Sequence, residues 1–317
     1  MRPSANCTSR KRGWARRGAG AAAVLAAALV VAPASAADPQ PAFNDGLLWR
    51  VSKSGVSDSF VFGTIHIADP RVNSIAKPVE DALAQSRTLA METAPEAVAD
   101  ARVFDLEQFR DGRRLEGLIG PAAFAQVRDR LVAQEIPERV VERLKPWAVL
   151  VKLTRAPVGS EALSLDQQLL AAARARRMKL AMLEWLEEQI AAFDSVPMES
   201  QIALLSHTLA HPEAVEAAVE PTIEAWRRGD LAALARLGDR ISRRFPGMGY
   251  HYSQLTKHII HNRTIVMHHR LLLPLREGRV FVAVGALHLQ GDKGLLAMLR
   301  RDGYRVTRVW VGEARAS

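Results

Sequence analysis

Apolar and polar positions divide this chain into short apolar runs near its two ends and helix-period stretches between them. Leu47-Leu48-Trp49-Arg50-Val51 reads as a strand, residues 55–59 as a polar turn, and Phe60-Val61-Phe62 as a second strand, so a hairpin is expected. It runs directly into Gly63-Thr64-Ile65-His66. A helix is predicted over residues 78–86, then a strand over 88–92 that ends on Glu92. From about 105 to 173 the period is helical, punctuated by Gly112, Gly117, Gly120, Pro137, Pro146 and Pro157. Residues 179–184 read as a short strand ending on Glu184. Helices resume over 187–244, with Pro197 and Pro221 near starts and Gly229 near a stop. Residues 245–249 read as a loop and 253 to about 273 as a helix. Val280-Phe281-Val282-Ala283-Val284 has the unbroken apolar character of a buried strand and leads into Gly285-Ala286-Leu287-His288. A helix over 294–301 and a strand over 304–310 close the pattern.

This distribution predicts an α/β (α+β) fold: a central mixed sheet with flanking helices and a helical insertion at about 105–273. The repeated unit of apolar strand, glycine, two residues and histidine suggests two pseudo-related halves meeting at one site. The expected division is a signal peptide over 1–36, a short linker over 37–46, and a single domain over 47–317.

The N-terminal assignment changes the charge argument. Arg2, Arg10, Lys11, Arg12, Arg16 and Arg17 precede an apolar run at 21–32 and the small-residue sequence Ala34-Ser35-Ala36, the order of a cleaved secretory signal. The run is short of the roughly 20 residues a membrane span needs. A periplasmic or secreted location is therefore expected, with no stable transmembrane span after cleavage. The chain carries 43 Lys+Arg against 34 Asp+Glu, but six of the basic residues lie in 1–36, which leaves 37 against 34. That near-balance gives no electrostatic case for nucleic acid as a partner. The single cysteine, Cys7, lies inside the expected signal, so the mature chain can form neither a disulfide nor a thiolate metal site.

Candidate chemistry gathers at strand ends. A glycine just past a strand lets the backbone turn tightly, and the histidine three residues on is delivered to the rim of the sheet. Imidazole there suits metal ligation or general-base work. Two such turns, Gly63–His66 and Gly285–His288, are less expected by accident than one. Glu92 and Glu184 stand where α/β sheets place ligands. Two imidazoles and a carboxylate make a workable set for a divalent ion. His258, His261 and His268 share a face of the predicted helix, and Asn262 and Arg263 on that helix are candidates for polar contacts. No phosphate loop, nucleophile elbow or His-Glu-x-x-His helix is present.

These residues carry a resemblance. The segments 47–51 and 60–66 resemble the opening of the TraB/GumN family. Val282 to Gly291, with Gly294-Leu295-Leu296, Leu299 and Gly303 to Val306, resembles its closing segment. Asp166-Gln167-Gln168-Leu169-Leu170 and Leu183-Glu184-Trp185-Leu186-Glu187-Glu188-Gln189 resemble its central stretches. The resemblance implies a fold shared with the Tiki proteases, the erythromycin esterases and haem-binding ChaN-like proteins. It also implies a metallopeptidase site of His66, Glu92 and His288 favouring manganese or cobalt over zinc, with Asn262 or Arg263 as a polar helper. The chain departs from the family at His261-Asn262-Arg263, where Asn262 matches and the arginine is displaced.

The functional expectation is a periplasmic or secreted metal-dependent hydrolase acting on a peptide or small molecule. His66, His288 and Glu92 would be the ligands, and Glu184 a general base or alternative ligand. Two other readings use the same cleft. One is a non-catalytic protein that binds metal, haem or peptide, any haem ligand then being a histidine or methionine. The other is a metal-free esterase or amidase with His66 as base.

Overall fold

The structure, a computed structural model, describes residues 43–67, 69–93, 101–154 and 163–311. The expected signal peptide and most of the expected linker lie outside the described residues. The described residues belong to one compact unit. Phe43 is nonetheless part of the fold: it is 5% exposed and packs edge-on against Trp49 at 5.2 Å. Gly46 N–H donates to the Gly229 carbonyl at 2.7 Å, and Asp45 bridges to Asp230. Residues within the expected linker, from Phe43 to Gly46, therefore pack onto the domain.

Six strands form one mixed sheet in the order β4-β3-β5-β2-β1-β6. β1 (Leu48–Lys53) and β2 (Val56–Thr64) make the expected antiparallel hairpin. Its turn is tighter than the polar stretch suggested. Lys53 pairs with Val56, Gly55 takes φ +77°, and residues 56–59 are strand. Polar residues are tolerated there because Ser57 and Asp58 stand in solvent. β3 (Thr88–Met91), β4 (Lys179–Met182) and β5 (Val280–Gly285) run parallel to β2, and β6 (Arg305–Val309) pairs antiparallel with β1. The central parallel strands are covered on both faces, which is why β3 and β5 read as unbroken apolar runs.

Helices cover the sheet and build a second core beside it. Lys77–Ala84 links β2 to β3 and buries Val79, Ala82 and Leu83. Among the described residues, six helices between Ala101 and Ala175 precede β4, and four between Leu186 and Arg244 follow it. Leu115, Leu131, Leu144, Trp147 and Leu205 form the heart of a helical cluster separate from the sheet core around Phe62, Leu89, Met91 and Phe281. Pro221 lies inside the helix Pro212–Arg227 and does not start it; Pro212 occupies the start. The helix before β5 begins at Met248 rather than Ser253. It passes through a π-helical segment, Lys257–Asn262, and continues as Arg263–Glu277 beyond Pro274. Among the described residues no helix is long and apolar enough to cross a membrane.

β2 and β5 are adjacent and parallel, which brings both Gly-x-x-His segments to the same edge. They are neighbours but not copies. Gly63 pairs with Val284, and Thr64 with Gly285, so the glycines are offset by one residue. The chain turns through a 3-10 helix at Ala286–His288, whereas β2 continues through Thr64 before leaving the sheet. The offset lets Ala286 and Leu289 pack directly on Gly63. A Cβ at Gly63 would lie 3.0 Å from Ala286 Cα and 3.0 Å from Leu289 Cδ1. Gly63→Ala should therefore destabilise by about 1–3 kcal/mol through overpacking. Gly117→Ala, at a helical position with nothing within 4 Å of the added carbon, should be neutral or stabilise by up to about 1 kcal/mol. Urea unfolding of the two variants beside wild type checks the contrast, and equal stabilities would contradict the packing argument.

Candidate active site

Because β4, β3, β5 and β2 are parallel, their carboxyl ends open on one edge of the sheet. Glu184 follows β4, Glu92 follows β3, Gly285 and His288 end and follow β5, and His66 follows β2. The β3–β4 ladder continues past both strands, with Leu183 N–H donating to Met91 O and Glu184 N–H to Glu92 O, each at 2.7 Å. Two glutamates are thereby held side by side, 9% and 3% exposed.

Arg263 makes that arrangement possible. It is 7% exposed, and every arm of its guanidinium is occupied. Nη2 donates to Glu92 Oε2 and to Glu184 Oε2, both at 2.6 Å. Nε donates to both Glu184 oxygens at 3.1 Å, and Nη1 to the Ile259 carbonyl at 3.1 Å. The π-helical segment ends immediately before Arg263. The wider turn re-aims the residues that follow it, so the arginine displaced in the sequence pattern reaches the carboxylates.

The histidines approach from the other side. His66 Nδ1 donates to Asp166 Oδ2 at 3.0 Å. His288 Nδ1 lies 2.8 Å from Thr264 Oγ1, which itself donates to the Ile260 carbonyl at 2.7 Å. With the Thr264 hydrogen spent on Ile260, the proton between Thr264 and His288 belongs to Nδ1, and His288 Nε2 carries a lone pair. That lone pair lies 3.7 Å from Glu92 Oε1, an oxygen that accepts the Gly285 N–H at 2.6 Å. The missing side chain of Gly285 marks the centre of the group. A Cβ there would lie 3.2 Å from Glu92 Oε1, 3.6 Å from His288 Cδ2 and 3.8 Å from His66 Nε2.

The electrostatics follow from these contacts. For Glu92, burial raises the pKa, but attraction to His288, Arg263 and His66 and the Gly285 N–H lower it to about 2. Burial pushes His288 down to about 4 against the pull of Glu92. His288 is then uncharged at neutral pH, so Arg263 and His66 are the cations that keep Glu92 ionised. Glu184 is pushed upward by burial, with Arg263 opposing. His66 is lowered by desolvation, but the Asp166 hydrogen bond and charge outweigh this and raise it to about 9. Since 65% of the His66 side chain is open to solvent, the carboxylate contact rather than burial sets that direction.

The donor types gathered here, two imidazoles and a carboxylate, are ones that divalent ions take. Two imidazole Nε2 atoms and a carboxylate oxygen face a common space, and each Nδ1 is tied to an outer oxygen, as ligating histidines are. Among the described residues no three His, Asp or Glu side chains are yet closed tightly enough to hold an ion.

Of the residues singled out in the sequence, the fold brings together His66, Glu92, Glu184, Arg263 and His288. Asn262 is exposed, and its side chain makes no hydrogen bond to another described residue. His258, His261 and His268 do not gather on one face, because the π-helical segment shifts the register between them. His258 Nδ1 meets Ser195 Oγ at 2.6 Å, and His268 Nε2 meets Asp302 Oδ2 at 2.6 Å. Sequence reasoning gave no role to Asp166, Thr264 or Thr64. Asp166 carried a signal, being an acid on the apolar face of Leu165–Ala175 beside Leu165, Leu169 and Leu170. Thr64 is 1% exposed with an unpartnered Oγ1, and it points to the same sheet face as its register partner Gly285.

Residues 47–308 match the family described as TraB/PrgY/gumN. No curated protein and no solved structure matches the chain.

Removing Arg263 would leave two buried carboxylates without their cation. Arg263→Ala should therefore destabilise by about 3–5 kcal/mol. Arg263→Ala combined with Glu184→Leu, which deletes one of the stranded charges, should recover part of that loss. Chemical unfolding of the single and double variants measures it, and strictly additive losses would contradict the clamp.

Proposed function

This chain belongs to the TraB/PrgY/gumN family, and on that premise we propose that it is an exported metal-dependent hydrolase, a peptidase of the Tiki type. One contact carries the reading. The His288 Nε2 lone pair faces the ionised Glu92 Oε1 across 3.7 Å, two acceptors that repel each other unless a cation stands between them.

His66, His288 and Glu92 would hold the ion, manganese or cobalt in preference to zinc. A divalent ion there supplies Lewis-acid polarisation of a carbonyl and an acidified water. The chain's own residues do the rest. Asp166 fixes the His66 ring so that Nε2 faces inward, and Thr264 does the same for His288. The Gly285 N–H orients Glu92, and Arg263 holds it ionised. Glu184, with both oxygens on Arg263, acts through that arginine as a positioning residue. The N-terminal targeting sequence would place the mature chain in the periplasm or outside the cell.

A second reading rests on the His66–Asp166 contact. An exposed imidazole backed by a carboxylate is the pairing of a general base; with His66 raised to about 9, its neutral form could activate water for ester or amide hydrolysis without a metal at alkaline pH.

Internally quenched peptides incubated with the purified protein separate the two. The metal reading expects cleavage that a chelator abolishes and added manganese restores, and that Glu92→Gln eliminates. Asp166→Asn should cost about 10- to 100-fold in metal affinity or activity. Cleavage that survives chelation yet is lost in Asp166→Asn would favour the metal-free route. No cleavage under either condition would sink both.

A further inference from the structure

The carboxyl edge of the sheet also carries two apolar side chains for which the polar cluster has no use. Across that edge stand Glu184 and Trp185 after β4, Glu92 after β3, Gly285 to His288 at the end of β5, and His66 after β2. Trp185 follows a glutamate that is 3% exposed, yet is itself 66% exposed. Leu287, between Gly285 and His288, is 38% exposed.

The exposure of Trp185 is not that of a loose loop. Glu184 N–H is tied to Glu92 O at 2.7 Å. Trp185 N–H donates to Glu188 Oε2 at 2.8 Å, and the Trp185 carbonyl accepts from the Glu188 and Gln189 N–H groups at 3.1 Å. The indole is thus presented by ordered backbone at the start of Leu186–Asp194. The charge nearest to it on that helix is already committed, since Glu188 also binds Arg270 at 2.6 and 2.7 Å. A large aromatic held in water on fixed backbone, beside a cluster of reactive groups, has the character of a binding anchor.

We propose that Trp185 forms a subsite for a large apolar side chain of a peptide substrate, on the β4 side of the cluster. The identity of the reacting bond rests on the hydrolase reading above. The β3–β4 register sets Leu183 opposite Glu92, so Trp185 lies one strand across and two residues on, about 8 Å from Glu92, and about 10 Å across from the end of β5. An extended peptide advances about 3.4 Å per residue. The indole therefore meets a side chain one to three residues from a bond held at Glu92 and His288, with Leu287 as the apolar contact on the β5 side.

The test uses fluorescein-labelled hexapeptides of Gly and Ser in which a single Phe is moved through the six positions. Binding to the full protein is read by fluorescence anisotropy with manganese present and absent, and cleavage of the same peptides by mass spectrometry. Wild type should bind the best Phe peptide about tenfold more tightly than the all-Gly/Ser peptide. Trp185→Ala should erase that preference and Trp185→Phe keep most of it, with both variants melting as wild type does because the side chain is exposed. Any cut should fall one to three residues from the Phe. A Trp185-dependent preference without cleavage would retain the subsite and count against the hydrolase reading. A preference that survives in Trp185→Ala, cleavage with no Phe preference, or no binding of any peptide would overturn the subsite.

Discussion

A single buried guanidinium holds the site together. Glu92 and Glu184 end adjacent parallel strands, linked by a backbone hydrogen bond, and both are shielded from water. Two carboxylates so placed cannot both stay ionised without a cation between them. Arg263 supplies it, with Nη2 shared between the two at 2.6 Å. The helix must therefore deliver an arginine to the sheet edge, and the π-helical segment just before it sets the angle. The same helix brings Thr264 to His288, so one element fixes the carboxylates and one of the imidazoles together. With Asp166 and a protonated His66 counted, the cluster holds three carboxylates against two cations, and His288 adds no positive charge. That balance makes the space beside Gly285 favourable for a cation.

The residues that announce this arrangement in the sequence are those whose chemistry is tied to a strand end. An apolar run followed by glycine and histidine, or closed by a glutamate, fixes both the element and the place of the polar group, because a strand delivers its last residue to one edge. His66, Glu92, Glu184 and His288 were legible on that basis, as was the mixed sheet itself. Arg263 and Asn262 were legible only as neighbours on a helix. Which of them turns inward depends on one extra residue in a turn, a geometry no period of 3.6 encodes. The same extra residue undid the expected His258, His261 and His268 stripe. Asp166 and Thr264 escaped for another reason: Asp166 is one polar residue on an otherwise apolar helix face, Thr264 shares its buried face with Arg263 and His268, and their partners lie about 100 and 24 residues away in sequence. Pro221 misled because a proline inside a helix and one at its start look alike without the flanking caps.

Family, fold and site bear on function at different depths. The TraB/PrgY/gumN match covers the domain that carries every member of the cluster. The parallel strands explain why those members meet. What makes the meeting chemical is the pairing of a neutral imidazole nitrogen with an ionised carboxylate oxygen around a glycine that leaves space for a third party. A proton on His66 can offset part of that negative potential in the absence of a metal. A divalent ion would answer it from the centre, with Asp166 and Thr264 already in place behind the two rings.

Calorimetric titration of the purified protein with manganese, beside His66→Ala, His288→Ala and the exposed-site control Trp185→Phe, tests this account most directly. The account predicts one ion per chain bound by wild type and by Trp185→Phe, with binding lost in both histidine variants. Absence of binding in folded wild type, or binding that survives both histidine replacements, would contradict it.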